Sequence, residues 1–272
     1  MPTVDERLDE LAAAVLAGPK YRAIQPELAR RIGAQELAKG RSLKEAIKET
    51  RAKLHQVGAA YQETPPDYAQ LTAGLAASAP EMQDTSLRSF CRMAMQYHAS
   101  TRERLPVLEE FYIGIAERVG PLQSVLDLAC GLNPLALPWM GLLTGGEYTA
   151  WDIYTDLADF LNRFFIYLGV SGRAEVVDLS VSVPAKPVQL ALLLKTLPCL
   201  EQLDKQIGPR LLDAIQAEHL VVSFPSRSLG GHHKGMAQHY SQHFESLLQG
   251  CNWQLAERWE TGSELVYWLR RG

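Results

Sequence analysis

The chain has 272 residues, 47% hydrophobic and 21% charged, enough for one large core or two modest ones. Its four cysteines lie far apart without a CxxC pair, and no run approaches the roughly 18 apolar residues of a membrane span, so disulfide scaffolds, zinc knuckles and membrane proteins are excluded and a soluble, cytoplasmic protein is expected. The net charge of -4 is unevenly placed: from Lys20 to Lys53 ten Lys or Arg stand against four Asp or Glu, a local +6 that suits a nucleic-acid partner and equally a solvated helical face.

Asp5 to Leu16 reads as a short helix with Leu8, Leu11, Val15 and Leu16 on one side. Pro26 starts a second helix that runs to about Lys39 and stops at Gly40. Ser42 and Glu45 have capping-box spacing. On the helix that follows, Leu43, Ile47, Leu54 and Val57 share a face, and Lys44, Lys48, Arg51 and His55 form a basic stripe beside it. After the break at Glu63-Thr64-Pro65-Pro66, helices are expected over Tyr68 to Ala77 and Asp84 to Tyr97. Residues 1–105 therefore read as a helical domain and 106–272 as a second one. That second domain opens with a helix carrying Leu108, Phe111, Tyr112 and Ile115.

From there strand and helix signals alternate. Candidate strands are Ser124 to Leu128, Tyr148 to Asp152, Ala174 to Val177, Leu190 to Leu194 and His219 to Ser223, with spacings that suit crossovers. Leu157, Phe160, Leu161, Phe164, Phe165 and Leu168 form a helical core stripe. Trp253 to Trp259 and Glu264 to Leu269 read as a hairpin, giving an α/β fold: a Rossmann-like, mostly parallel seven-stranded sheet with a C-terminal antiparallel hairpin.

Strand one ends Asp127-Leu128-Ala129-Cys130-Gly131, and strand two ends at Asp152, 21 residues after Gly131. A carboxylate there can accept both ribose hydroxyls of a nucleoside held over the first loop. The G-x-G-x-x-G spacing of a pyrophosphate site is absent, so a phosphate-free nucleoside fits better. Asp178, after strand three, is placed to accept from an adenine amine. A strand-end Asp often only caps the next helix; three of them beside a glycine loop point to S-adenosylmethionine. Its carboxylate needs a cation, and Arg104, in His98-Ala-Ser-Thr-Arg-Glu-Arg-Leu105, can supply a fork unless a salt bridge to Glu103 or Asp127 claims one of these arginines. Cys199, in Leu194-Lys-Thr-Leu-Pro-Cys-Leu-Glu201, lacks an adjacent His and reads as a structural thiol. The long basic loop from Ser223 to Met236 suits a base and its phosphates, or is a surface loop. His232, His233, His239 and His243 match no metal-site spacing, so no metal is expected.

These residues resemble the aminoglycoside-resistance 16S ribosomal RNA (guanine-N7) methyltransferases of FmrO type. The similarity is carried by His98 to Leu105, Asp127-Leu-Ala-Cys-Gly-Leu-Asn-Pro-Leu-Ala136, Leu194 to Glu201, Ser223-Phe-Pro-Ser-Arg-Ser-Leu-Gly230, Lys234-Gly-Met236 and Gly262-Ser-Glu-Leu-Val-Tyr267. Lys20-Tyr-Arg22 and Lys53-Leu-His55 resemble that family's helical domain; His232-His233 is a departure from its pattern.

The resemblance implies a class I S-adenosylmethionine-dependent methyltransferase acting on a decoding-site guanine of 16S rRNA within the small (30S) ribosomal subunit, without a protein partner. Guanine N7 has an in-plane lone pair and needs no general base, so positioning would carry the catalysis. The implied cofactor residues are His98, Ser100, Arg104 (carboxylate), Asp127, Ala129, Gly131, Asp152 (ribose), Ile153, Asp178 (adenine), Leu179 and Leu194. Phe224, Arg227 and Lys234 would engage the target guanine and nearby RNA, with Lys195 and Glu201 at the pocket; Lys20, Arg22, Lys44, Lys48, Arg51 and Lys53 would dock on rRNA. A small-molecule methyltransferase with a helical lid and a non-catalytic ribosome-binding module on the same fold are the alternatives.

Overall fold

Every regular element before residue 120 is helical in the computed structural model, which describes residues 3–62, 64–182, 186–226 and 236–272. The helices are α1 (Val4–Leu16), α2 (Pro26–Ala38), α3 (Leu43–Val57), α4 (Tyr68–Ala76), α5 (Thr85–Ala94), α6 (Ala99–Arg104) and α7 (Leu108–Val119). Their starts follow from local chemistry. Thr3 and Glu6 close a capping box on α1, Ser42 and Glu45 close another on α3, and the Asp67 and Asp84 carboxylates accept from the first amides of α4 and α5. Pro26 occupies the first turn of α2, where its missing N–H has no intrahelical partner to lose.

The expected apolar face of α3 is rotated in the fold. Ala46, Thr50 and Leu54 are its buried line, while Leu43, Ile47 and Val57 are only half-buried. The helix packs against α1, α2 and a later helix, and the Ala46–Thr50–Leu54 line is the one these neighbours cover.

The sheet strands are β1 (Leu122–Leu128), β2 (Leu142–Asp152), β3 (Ser171–Val176), β4 (Val188–Leu194), β5 (Ala217–Pro225), β6 (Trp253–Thr261) and β7 (Glu264–Arg271). They are interleaved with α8 (Leu137–Met140), α9 (Thr155–Tyr167), α10 (Leu197–Leu203), α11 (Ile207–Ala214) and α12 (Met236–Leu248). The strand order is β3-β2-β1-β4-β5-β7-β6, parallel except for β7, which is antiparallel to both of its neighbours. Alternation along the strands divides the core in two. Val125, Tyr148, Leu190, Leu192 and Val221 face a cluster with α1–α9; Leu126, Ala191, Leu193, Val222, Phe224 and Tyr267 face α10–α12.

The helical segment is fastened to the carboxyl edge of the sheet by backbone. Ile24 bridges Tyr154, Gln25 N donates to Ile153 O (2.9 Å), and Thr155 N donates to Ala23 O (2.8 Å). Among the described residues no helix is long and apolar enough to cross a membrane.

Candidate active site

The chain runs outward from β1 through β2 to β3, then returns to the other side of β1 with β4. The space above the carboxyl ends of β1 and β4 is thus the switch point of the sheet, where open α/β folds hold ligands. Two non-glycine residues there adopt left-handed backbone, Ala129 (φ +52°) after β1 and Lys195 (φ +58°) after β4. Such conformations cost free energy and persist where surrounding structure enforces them, and both residues line one cleft. Gly131 (φ +50°) lies against His98, whose ring would sit 2.8 Å from a Cβ at that position.

Three carboxylates come from consecutive strand ends, and each is held by protein donors. Asp127 Oδ2 accepts from Asn133 Nδ2 (2.9 Å) and Tyr148 Oη (2.7 Å); burial pushes its carboxyl up to about 6 against these bonds. Asp152 Oδ2 accepts from Gly131 N (2.8 Å) and Oδ1 from Ile153 N (2.7 Å), so the tip of β2 fixes the glycine loop; burial raises this carboxyl too. Asp178 accepts from Arg31 of α2 and from Ser180.

A buried charge network closes the far wall. Arg104 donates through Nε and Nη2 to the two oxygens of Glu264 (2.8 and 2.9 Å) and through Nη1 to Asn133 Oδ1 (2.7 Å). Lys195 Nζ donates to Glu103 Oε2 (2.6 Å) and lies 3.6 Å from Glu264 Oε1. Burial alone would raise the Glu264 carboxyl, but Arg104 and Lys195 outweigh it and hold it below its ordinary value. His98 stacks on Tyr61, with ring centroids 5.7 Å apart; burial, reinforced by Arg104 and Lys195, lowers its pKa to about 4, so the ring is neutral at pH 7. The cleft thiols, Cys130 and Cys199, are pushed up by burial and stay protonated, and Tyr61 Oη lies 3.0 Å from Cys199 Sγ.

Of the eleven expected cofactor residues, ten line this cleft: His98, Ser100, Arg104, Asp127, Ala129, Asp152, Ile153, Asp178, Leu179 and Leu194. Gly131 does not; its amide is turned to Asp152. Arg104 is in place, but its salt-bridge partner is Glu264, not Glu103 or Asp127. Lys195 lines the cleft.

Glu201 does not line the cleft and pairs with His243 of α12 (2.8 Å for Nε2 to Oε1). Phe224 is a buried core residue: strand alternation turns it into the C-terminal cluster, against Tyr240, Phe244 and Tyr267. Arg227 and Lys234 lie outside the described residues. On the helical segment Lys20, Arg22, Lys44 and Lys48 are exposed, as a docking face requires. Arg51 and Lys53 are half-buried and engaged: Arg51 donates to Ala14 O, and Lys53, with Lys39 and Arg41, surrounds the buried Glu36 carboxylate.

Sequence reasoning missed the helical wall of the cleft, made by Leu28, Val57, Gly58 and Tyr61, together with Tyr154; Asn133 and Thr196 fall within stretches it singled out. Val57 reads as ordinary core in a periodic pattern, and nothing local distinguishes Leu28 on its helix. Among the described residues no cluster of His, Cys, Asp and Glu could hold a metal.

The donor set fits S-adenosylmethionine. Two polar atoms on cleft-lining residues, His98 Nδ1 and Tyr154 Oη, are buried and find no partner among the described residues, which a bound polar ligand can remedy. Asp152 and Arg104 both line the cleft, an acceptor carboxylate at the tip of β2 and a guanidinium in the far wall.

A seven-stranded sheet of this order, with such a cleft at its switch point, defines a class I S-adenosylmethionine-dependent methyltransferase. A family model described as ribosomal RNA methyltransferase (FmrO) matches residues 18–268, and the chain belongs to that family. It is 39% identical over 269 residues to the 16S rRNA (guanine(1405)-N(7))-methyltransferase of Micromonospora echinospora, covering 98% of each chain. It is 33% identical over 266 residues to the enzyme of the same name from Serratia marcescens, covering 97% of this chain and 98% of that one. Among solved structures it is similar to the 16S rRNA methyltransferase RmtF in complex with S-adenosyl-L-homocysteine (TM-score 0.87, 34% identity, 99% and 100% of the chains). The 16S rRNA methylase RmtB is similar as well (TM-score 0.81, 29% identity, 97% and 98%).

Proposed function

We propose that the protein methylates N7 of guanine 1405 of 16S rRNA, the position named for its relatives, and does so on the assembled small ribosomal subunit in the cytoplasm. When bound, S-adenosylmethionine supplies a methyl group on a positively charged sulfur. The observation that supports this reading best is a cleft whose walls position rather than exchange protons. Its three strand-end carboxylates already hold protein donors, both thiols are protonated, and His98 is a very weak base. A purine N7, with its free lone pair, is the nucleophile that such a site can use.

In this reading Asp152 accepts from the ribose, oriented by the amides of Gly131 and Ile153. Arg104 meets the amino-acid carboxylate, and His98, Ser100, Asp127, Ala129, Ile153, Leu179 and Leu194 complete the walls. Residues 1–105 then have two tasks: the face with Lys20, Arg22, Lys44 and Lys48 docks on rRNA, and the face with Leu28, Val57 and Tyr61 covers the cleft. Arg227 and Lys234 add contacts to the RNA.

The test is incubation with methyl-labelled S-adenosylmethionine and either intact small subunits or naked 16S rRNA, followed by borohydride and aniline scission at N7-methylguanine. Label at one guanine of the intact subunit is expected. No label in either substrate would remove the proposal.

A further inference from the structure

Asp178 lines the cleft, yet its carboxylate is organised from outside the sheet. Arg31, 147 positions away on α2, donates through Nε and Nη2 to Oδ2 (3.0 and 2.9 Å). Ser180 donates to Oδ1 through its backbone N (2.9 Å) and through Oγ, and Arg31 Nη2 also reaches Ser180 Oγ. Arg210 on α11 donates to Ser180 O (2.9 Å), which fixes the turn beneath. Arg31 follows Leu28, a cleft-wall residue, by one helical turn, so the same side of α2 covers the cleft and clamps its acid.

We propose that Arg31 is a positioning residue for the cofactor, holding Asp178 as an acceptor-only edge and thereby setting a preference for a 6-amino over a 6-oxo purine. The inference rests on reading the cleft as an S-adenosylmethionine site. A carboxylate fixed by a guanidinium can only accept, which matches an exocyclic amine and opposes a carbonyl oxygen. The guanidinium fork and the Ser180 amide are geometrically fixed donors, whereas the Ser180 hydroxyl rotates. It is therefore the donor an incoming amine replaces, while Arg31 keeps its place. Without the fork, Asp178 loses the partner that fixes the plane of its carboxylate.

The test uses the full chain and two probes, S-adenosylhomocysteine and its 6-oxo counterpart S-inosylhomocysteine, by titration calorimetry, with melting followed for each variant. Wild type should prefer the adenosyl probe by more than about tenfold. Arg31→Met should bind that probe about tenfold more weakly and lose most of the preference; at saturating cofactor its kcat should stay within about threefold while the cofactor KM rises. Arg31→Lys, which keeps charge without the fork, should fold like wild type and fall between the two, and Ser180→Ala should leave the preference intact. An unchanged preference in folded Arg31→Met, or in Arg31→Lys if the Met variant unfolds, overturns the proposal, as does tighter adenosyl binding. Wild type binding neither probe would overturn the cofactor reading instead.

Discussion

Arg104 and Glu264 are 160 positions apart and meet as a two-pronged ion pair, with Nε and Nη2 on the two carboxylate oxygens and both side chains essentially excluded from water. Ser223 Oγ donates to the same carboxylate (2.7 Å), and Tyr112 and Asn133 continue the network to Asp127. The pair joins the end of α6 to the start of β7, so the cation at the cleft is fixed by the last hairpin of the chain.

Removing one partner strands the other charge. Glu264→Ala is expected to destabilise the fold by about 3–5 kcal/mol, read from urea unfolding. The double variant Arg104→Met, Glu264→Met should recover much of that loss while leaving cofactor binding absent. Recovery of both would show that Arg104 serves the fold alone.

Cofactor and RNA functions should separate by substitution. Asp152→Ala is expected to weaken S-adenosylhomocysteine binding at least about tenfold, because the acceptor proposed for the ribose is lost, and to leave subunit binding unchanged. Charge reversal at Lys44 and Lys48, both exposed, should do the opposite, weakening subunit binding and lowering its salt slope by about two. Calorimetry and salt-dependent filter binding check the two halves. Equal loss of both activities in either variant would contradict the division.

Much of this was legible in the chain, for a physical reason. β1, β4 and β5 are mostly buried and read as apolar runs, while β2 and β3 are largely exposed or half-buried and only their carboxyl-terminal parts were legible. Carboxylates at the strand ends are set by chain direction, so Asp127, Asp152 and Asp178 could be placed without long-range knowledge. What failed depended on which way one side chain turns. Phe224 lies next to the end of β5, and its alternation sends it into the core; Glu201 sits between the cleft-lining Leu200 and Leu203 but turns to His243. Lys53 belongs to the charge run but is drawn to Glu36, a partner that charge counting treats as interchangeable with any other acid. Arg31 and Glu264 could not be singled out because their partners are 147 and 160 residues away.

Acid should expose two opposing titrations. His98 has a folded pKa of about 4 against an ordinary 6.5, so as pH falls through this window the unfolded chain takes up the proton first and the fold loses up to about 3 kcal/mol. Asp127 has a folded value of about 6 against 3.8, so between those values the fold holds a proton that the unfolded chain releases, and it gains stability as pH falls. The two largely cancel from pH 6 to 4. His98→Asn should therefore remove the loss and make the protein gain stability relative to wild type as pH drops across that range. Asp127→Asn should make it more acid-labile. Urea midpoints at stepped pH test both signs, and parallel profiles for all three proteins would refute the assignment.

Methylation at guanine N7 removes a hydrogen-bond acceptor and fixes a positive charge on the base, both unfavourable to a polycationic aminoglycoside. A susceptible bacterium expressing the protein is therefore expected to gain resistance, and Asp152→Ala should abolish the gain at equal expression. Cys199 distinguishes this chemistry from carbon methylation through a thiolate. Its buried thiol, beside Tyr61, stays protonated, so Cys199→Ser should keep resistance and subunit methylation at about half of wild type or more. Loss of methylation in a folded Cys199→Ser protein would instead make the thiol a participant and count against N7 as the acceptor atom.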